Sequence, residues 1–136
     1  MRPIRVLFVD DYTEAREMWG LYLRGCGYDV GLARDADEAL ARAAELRPDV
    51  VVMDLLLPGT SGLDAARAIA RQEAGRPVAF VAATGCSDAG RMAAAREAGF
   101  SAVLIKPCDP PVLVRAIEDA ARAARQRATH SRQTAS

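Results

Sequence analysis

The sequence holds few of the residues that usually carry metal, redox or nucleophilic chemistry. Of 136 residues only His130 is histidine. That excludes a multi-histidine metal site and argues against a Ser-His-Asp or Cys-His enzyme. Cys26, Cys86 and Cys108 are an odd number of cysteines, with no C-x-x-C among them. Neither a disulfide framework nor a zinc knuckle is built that way, so a reducing cytoplasm is the expected compartment. The longest apolar run near the start, Val6–Val9, is too short for a signal peptide or a membrane span. Charge of one sign is also missing: 18 basic and 18 acidic residues cancel. A general polyanion binder is therefore not expected, nor is a membrane partner. Neither G-x-G-x-x-G nor G-x-x-x-x-G-K-[ST] occurs, which removes the common nucleotide-binding loops.

Lysine is the scarcest cation. There are 17 arginines and one lysine, Lys106. In a chain that spends arginine on its surface, one lysine fits either a site that needs a compact, mobile ammonium rather than a planar fork or a chance occurrence, and its neighbours decide between them. Alanine, by contrast, supplies 28 residues, so the 51% hydrophobic content overstates the bulky core.

Short apolar runs alternate with helical patterns. Residues 4–9, 28–33, 50–53, 78–83 and 102–105 read as strands, the third a β-branched run of the kind buried on both faces. Helices follow each. The first is capped by Thr13 and runs to about Arg24, and the second is capped by Asp35 and runs to about Leu46. The third spans roughly Leu63–Gln72, and the fourth is opened by Ser87 or Asp88 and ended by Gly99. The last is opened by Pro110 and Pro111, with Leu113, Ala116, Ile117, Ala120 and Ala124 on one apolar face. Residues 58–62 read as a turn-rich loop. From 126 to 136 the apolar pattern fades, so residues 1–125 are expected as one domain and 126–136 as a polar tail. Five β-α units in strict alternation imply an open parallel sheet covered by helices on both faces.

In such a sheet, ligands bind beyond the carboxyl ends of the strands. Asp10 and Asp11 follow the first strand, Asp54 the third, Thr84 and Gly85 the fourth, and Lys106 the fifth. Three crowded carboxylates repel unless a hard cation joins them, and oxygen ligands suit Mg²⁺. A metal-bound carboxylate can stay ionised and act as a nucleophile. Phosphoryl transfer asks mainly for positioning and charge neutralisation. Lys106 and a metal would supply the charge, Thr84 a hydroxyl, and Gly85 room near the backbone.

VDD at 9–11, MDLLLPGTSG at 53–62, ATG at 83–85 and IKP at 105–107 resemble the receiver domain of two-component response regulators. The pattern D-x-x-x-P-x-x-x-G is met by Asp54, Pro58 and Gly62. The spacings, 30 residues from Asp54 to Thr84 and 22 from Thr84 to Lys106, also suit that family. The resemblance covers about residues 3–125. It implies a flavodoxin-like (βα)5 fold with strand order 2-1-3-4-5. It also implies that Asp54 accepts a phosphoryl group from a phosphohistidine of a sensor kinase or phosphotransfer protein. Asp11, Asp54 and the Leu56 carbonyl would bind Mg²⁺, Asp10 would act through a metal-bound water, and Thr84 and Lys106 would hold the phosphoryl oxygens. The output partner would meet the fourth helix, fifth strand and last helix. The chain would catalyse only its own phosphorylation and dephosphorylation.

The chain departs from that pattern at four places. Val103 stands where many receivers carry an aromatic, and Cys108 where many carry Phe after Lys-Pro. Leu56 and Cys86 occupy positions that tune dephosphorylation, and neither orients water well, which implies a long-lived phosphoryl group. Without the aromatic, switching is expected as a small rearrangement in which Thr84 moves toward the phosphoryl group. Other readings use the same residues. Asp10 and Asp11 alone could be an acidic pair at a helix start. Lys106 could pair with Asp54 structurally in a degenerate receiver that docks partners without phosphorylation. A Mg²⁺-dependent aspartyl phosphatase would need Asp two residues after its nucleophile, where Tyr12 and Thr13 stand. Four arginines and no acid in residues 122–132 read as cations at a helix end. With no output domain following, the chain is expected to be a single-domain regulator or a receiver cut from a longer one.

Overall fold

In the computed structural model, residues 2–85 and 87–135 are described, with side chains through Ala128. The strands are β1 (Arg5–Val9), β2 (Asp29–Ala33), β3 (Val50–Met53), β4 (Leu56–Leu57), β5 (Thr60–Ser61), β6 (Ala79–Thr84) and β7 (Ala102–Ile105). The helices are α1 (Thr13–Gly25), α2 (Ala36–Leu46), α3 (Gly62–Gln72), α4 (Ala89–Glu97) and α5 (Pro110–Ala135). The main sheet is parallel throughout and ordered β2-β1-β3-β6-β7. Counting only its own five strands, this is 2-1-3-4-5, as expected.

Strand alternation sends each sheet residue to one of two cores. Leu7, Val9, Val51, Met53, Phe80 and Ala82 meet Ala39, Ala43, Ala65, Ala66, Ile69 and Ala95 from α2, α3 and α4. Val6, Phe8, Val50, Val52, Val81 and Ala83 meet Trp19 and Leu23 of α1 and Leu113, Ile117, Ala120 and Ala124 of α5. The abundant alanines let helices sit close against the sheet. Trp19 is a core residue stacked on Phe8 at 6.2 Å.

The helix starts follow local side-chain chemistry. Asp35, Ser61 and Asp88 each accept a hydrogen bond from the backbone N–H three residues on. Thr13 does not cap α1: the helix starts one residue earlier, with Tyr12 in the cap position making no side-chain cap bond and its carbonyl accepting from Arg16 N at 3.1 Å. The turn-rich segment after β3 contains a short antiparallel ladder, Leu56 opposite Ser61 and Leu57 opposite Thr60. The chain stays helical well beyond residue 125, since α5 continues to Ala135. Ala, Arg and Gln are good helix formers and carry the hydrogen-bond pattern past the end of the apolar face.

Candidate functional site

Asp10 directly follows β1, Asp54 follows β3, Thr84 is the last residue of β6, and Lys106 follows β7. Thr84 is in the strand, one residue further than the apolar run alone indicates. Parallel strands in register bring these four to one sheet edge. Lys106 Nζ donates to Asp10 Oδ2 at 2.5 Å and to Asp54 Oδ2 at 3.1 Å. Thr84 Oγ1 donates to Asp54 Oδ1 at 2.7 Å, and the Leu56 amide donates to the same oxygen at 3.0 Å. Asp10 and Thr84 are buried, while Asp54 and Lys106 are partly open. Burial by itself would lower the Lys106 pKa. Its hydrogen bonds to Asp10 and Asp54 outweigh that and leave it above the usual lysine value.

Asp11 lies on the exposed turn after Asp10 and has no side-chain hydrogen bond among the described residues. Leu56 begins β4 with its side chain exposed. Among the described residues no three His, Cys, Asp or Glu side chains form a preassembled metal cluster. The donor set still suits a hard cation. Asp10 Oδ2 and Asp54 Oδ2 converge on one point, held by Lys106 Nζ, and Asp11 follows Asp10 in the chain. All three offer carboxylate oxygen. Cys86 lies outside the described residues. Cys108 is half-buried, and burial pushes its thiol pKa up, the opposite of a reactive thiolate.

Val103 is half-buried against the α2–α4 side core and presents no aromatic ring there.

Two supports escaped the sequence reading. Arg16, one turn into α1, donates from Nη1 to the Asp10 carbonyl at 2.7 Å and from Nη2 to Thr13 Oγ1 at 3.2 Å. An arginine shortly after a paired acid was its only signal. The Leu56 amide is backbone and leaves no sequence signal at all. Gly62 was legible as part of the motif, but its reason is steric. A Cβ there would lie 2.2 Å from the Asp54 carbonyl oxygen and 2.8 Å from Leu55 Cα.

Comparison with known proteins agrees with this geometry. The family model described as the response regulator receiver domain matches residues 6–118. The DNA-binding response regulator MtrA of Mycolicibacterium paratuberculosis is 37% identical over 110 residues, covering 81% of this chain and 48% of that protein. The chain thus spans about half the length of such curated relatives. A LuxR-family two-component response regulator from Aurantimonas sp. superposes with a TM-score of 0.78 at 33% identity, covering 96% of this chain and 98% of the other. A CheY-like receiver domain protein from Methanospirillum hungatei gives 0.83 at 24% identity over 92% and 98%, which supports the fold. The order of the sheet, the residues at its carboxyl edge and a family match over most of the length agree: the chain belongs to the receiver domains of two-component response regulators.

Proposed function

We propose that Asp54 is the phosphoacceptor of this receiver. The observation that carries the reading is the junction of Lys106 Nζ with both Asp10 and Asp54, while Thr84 holds the other Asp54 oxygen. An Asp54 carboxylate oxygen attacks the phosphorus of a phosphohistidine, the P–N bond breaks, and the histidine nitrogen keeps that electron pair. The donor is a histidine kinase or a histidine phosphotransfer protein. Lys106 and Thr84 then serve as ammonium and hydroxyl donors to the phosphoryl oxygens. Asp10, Asp11, Asp54 and the Leu56 carbonyl would hold Mg²⁺, which supplies charge neutralisation between the acids and the incoming phosphoryl group. The chain catalyses only its own phosphoryl transfer and dephosphorylation.

The output surface we assign is α4, β7 and α5. Thr84 leads through a short loop into α4, and Lys106 leads through Pro107 into α5, so both phosphoryl ligands connect to that face. Ile105 and Val112 are exposed apolar residues on it. Residues 1–125 form the receiver unit and 126–136 a polar segment, of which 126–135 continue the last helix. The protein acts in the cytoplasm through protein contacts, without nucleic acid or membrane.

A docking module indifferent to phosphorylation would use the same network for structure alone. Amide chemical shifts with Mg²⁺ and beryllium fluoride separate the two. Shifts at Asp54, Thr84 and Lys106 that spread into α4, β7 and α5 support the proposal. No response, or an equal response in Asp54→Asn, refutes it.

A further inference from the structure

We infer that α1 carries a self-complementary face through which two copies of this chain pair antiparallel. Four of the exposed large apolar residues stand on or just before this one helix: Tyr12, Met18, Leu21 and Tyr22. Met18 is 58% exposed and Leu21 76% exposed, in a helix whose opposite side buries Trp19 and Leu23. Glu14, Met18, Leu21 and Gly25 are spaced four, three and four apart, the straight row that one helix offers another.

Charge decides what covers this row. Glu17 and Arg24 lie seven residues apart on the same flank of it. Neither has an ion-pair partner among the described residues, and Arg24 donates only to the neutral Val30 carbonyl, at 3.2 Å. Set a second α1 antiparallel, with the two-fold axis near residue 20. Met18 then faces Leu21 of the second copy and the reverse. Glu17 faces Arg24 of the second copy and the reverse, so one operation satisfies the apolar pair and both charges. In a parallel pairing each flank would instead meet the opposite flank of the second helix, so Glu17 and Arg24 would not meet. Self-complementarity under a two-fold axis is the condition for an isologous dimer, and antiparallel helix dipoles favour the same orientation.

The geometry keeps the two phosphoacceptor edges apart. Asp10 and Asp11 lie at the start of α1, and that helix is about 20 Å long, so the two sites fall at opposite ends of the pair. Met18 also borders an apolar cavity of about 330 Å³ lined by Phe8, Ala15, Trp19, Lys106 and Cys108. One helix pair buries less than a standard interface, so the dimer is weak and forms at high micromolar concentration. This inference does not rest on Asp54 being phosphorylated.

Sedimentation equilibrium on the whole chain tests it. The weight-average mass should rise with concentration toward twice the monomer mass. Leu21→Glu, at an exposed position, should stay monomeric with an unchanged circular dichroism spectrum. Glu17→Arg or Arg24→Glu alone should weaken pairing by about five- to tenfold, since two exposed pairs become repulsive. The two changes together should return it to near the original strength. A wild type that stays monomeric up to about 1 mM overturns the inference. So does an unchanged dimer in Leu21→Glu, or a double exchange no better than the singles. If the wild type is monomeric while Leu21→Glu blocks phosphoryl uptake from a phosphohistidine protein, the face belongs to the donor and the inference is likewise overturned.

Discussion

At the scale of single residues, two positions carry most of the site's tolerance. Gly62 N donates to the Leu55 carbonyl at 2.8 Å, which presses the start of α3 against the chain just after Asp54. Gly62→Ala must push Asp54 and Leu55 aside, and should lower stability by at least about 2 kcal/mol in urea unfolding and abolish phosphoryl uptake. Gly59, at φ +77° with open space around it, should lose only about 1 kcal/mol on change to Ala and keep its uptake. Equal losses at both positions would contradict the steric account of Gly62. Lys106 is the second case. Lys106→Met strands the buried Asp10 carboxylate and should cost about 3 kcal/mol. Lys106→Arg keeps the charge and most of the stability, but a fixed fork cannot meet Asp10 and Asp54 as one point charge does. Its beryllium fluoride response should fall well below that of the wild type. An unimpaired response would mean that the single lysine among 17 arginines is coincidence.

At the scale of elements, the ends of α2 and α3 are tied by one buried acid. Glu73 Oε1 pairs with Arg47 Nε at 3.1 Å and accepts a hydrogen bond from Arg76 Nε at 3.2 Å, and Arg76 also donates to the Pro48 carbonyl at 2.6 Å. Arg47 closes α2 in the left-handed conformation, φ 54°. Glu73→Gln leaves two arginines facing a neutral amide and should destabilise the fold by about 3 kcal/mol, with phosphoryl uptake intact in the folded fraction. Thermal unfolding beside an uptake assay checks this, and a loss below 1 kcal/mol would show the pair to be solvent-screened. This tie was not legible in the sequence, because it joins three residues that are each ordinary surface charges until the fold buries one. The elements themselves were legible, since apolar runs and capping residues such as Asp35 and Asp88 act locally. The ladder of β4 and β5 was not, because two-residue strands carry no period. Thr13 looked like a cap, but the Arg16 amide it would hold bonds to the Tyr12 carbonyl and the helix begins one residue earlier.

At the scale of the whole molecule, the sheet's two edges are held in opposite ways. At the edge away from the site, Asp49 accepts from Arg2 Nη1 and Nη2 at 2.9 Å each and from the Arg5 amide at 2.9 Å. Burial would raise its pKa, but these hydrogen bonds prevail and hold it below the ordinary value of 3.8. A depressed carboxylate contributes stability that is complete above its unfolded value and lost as pH falls through the folded one. Asp49→Asn should therefore be less stable than the wild type near neutrality, and the gap in urea midpoint should shrink below about pH 3.8. A gap constant with pH would remove Asp49 from acid stability. At the opposite edge, Asp10, Asp54, Thr84 and Lys106 were legible because parallel strands bring the residues at their carboxyl ends together whatever lies between. Their hydrogen bonds were not, because which oxygen meets which donor depends on packing. The central claim is that this edge takes up phosphate on Asp54. The direct measurement is peptide mass spectrometry after incubation with a small phosphodonor. The account predicts one phosphoryl group on the peptide containing Asp54, dependent on Mg²⁺ and absent in Asp54→Asn. An adduct of equal yield in Asp54→Asn, or one that forms as well with chelator present, would contradict it.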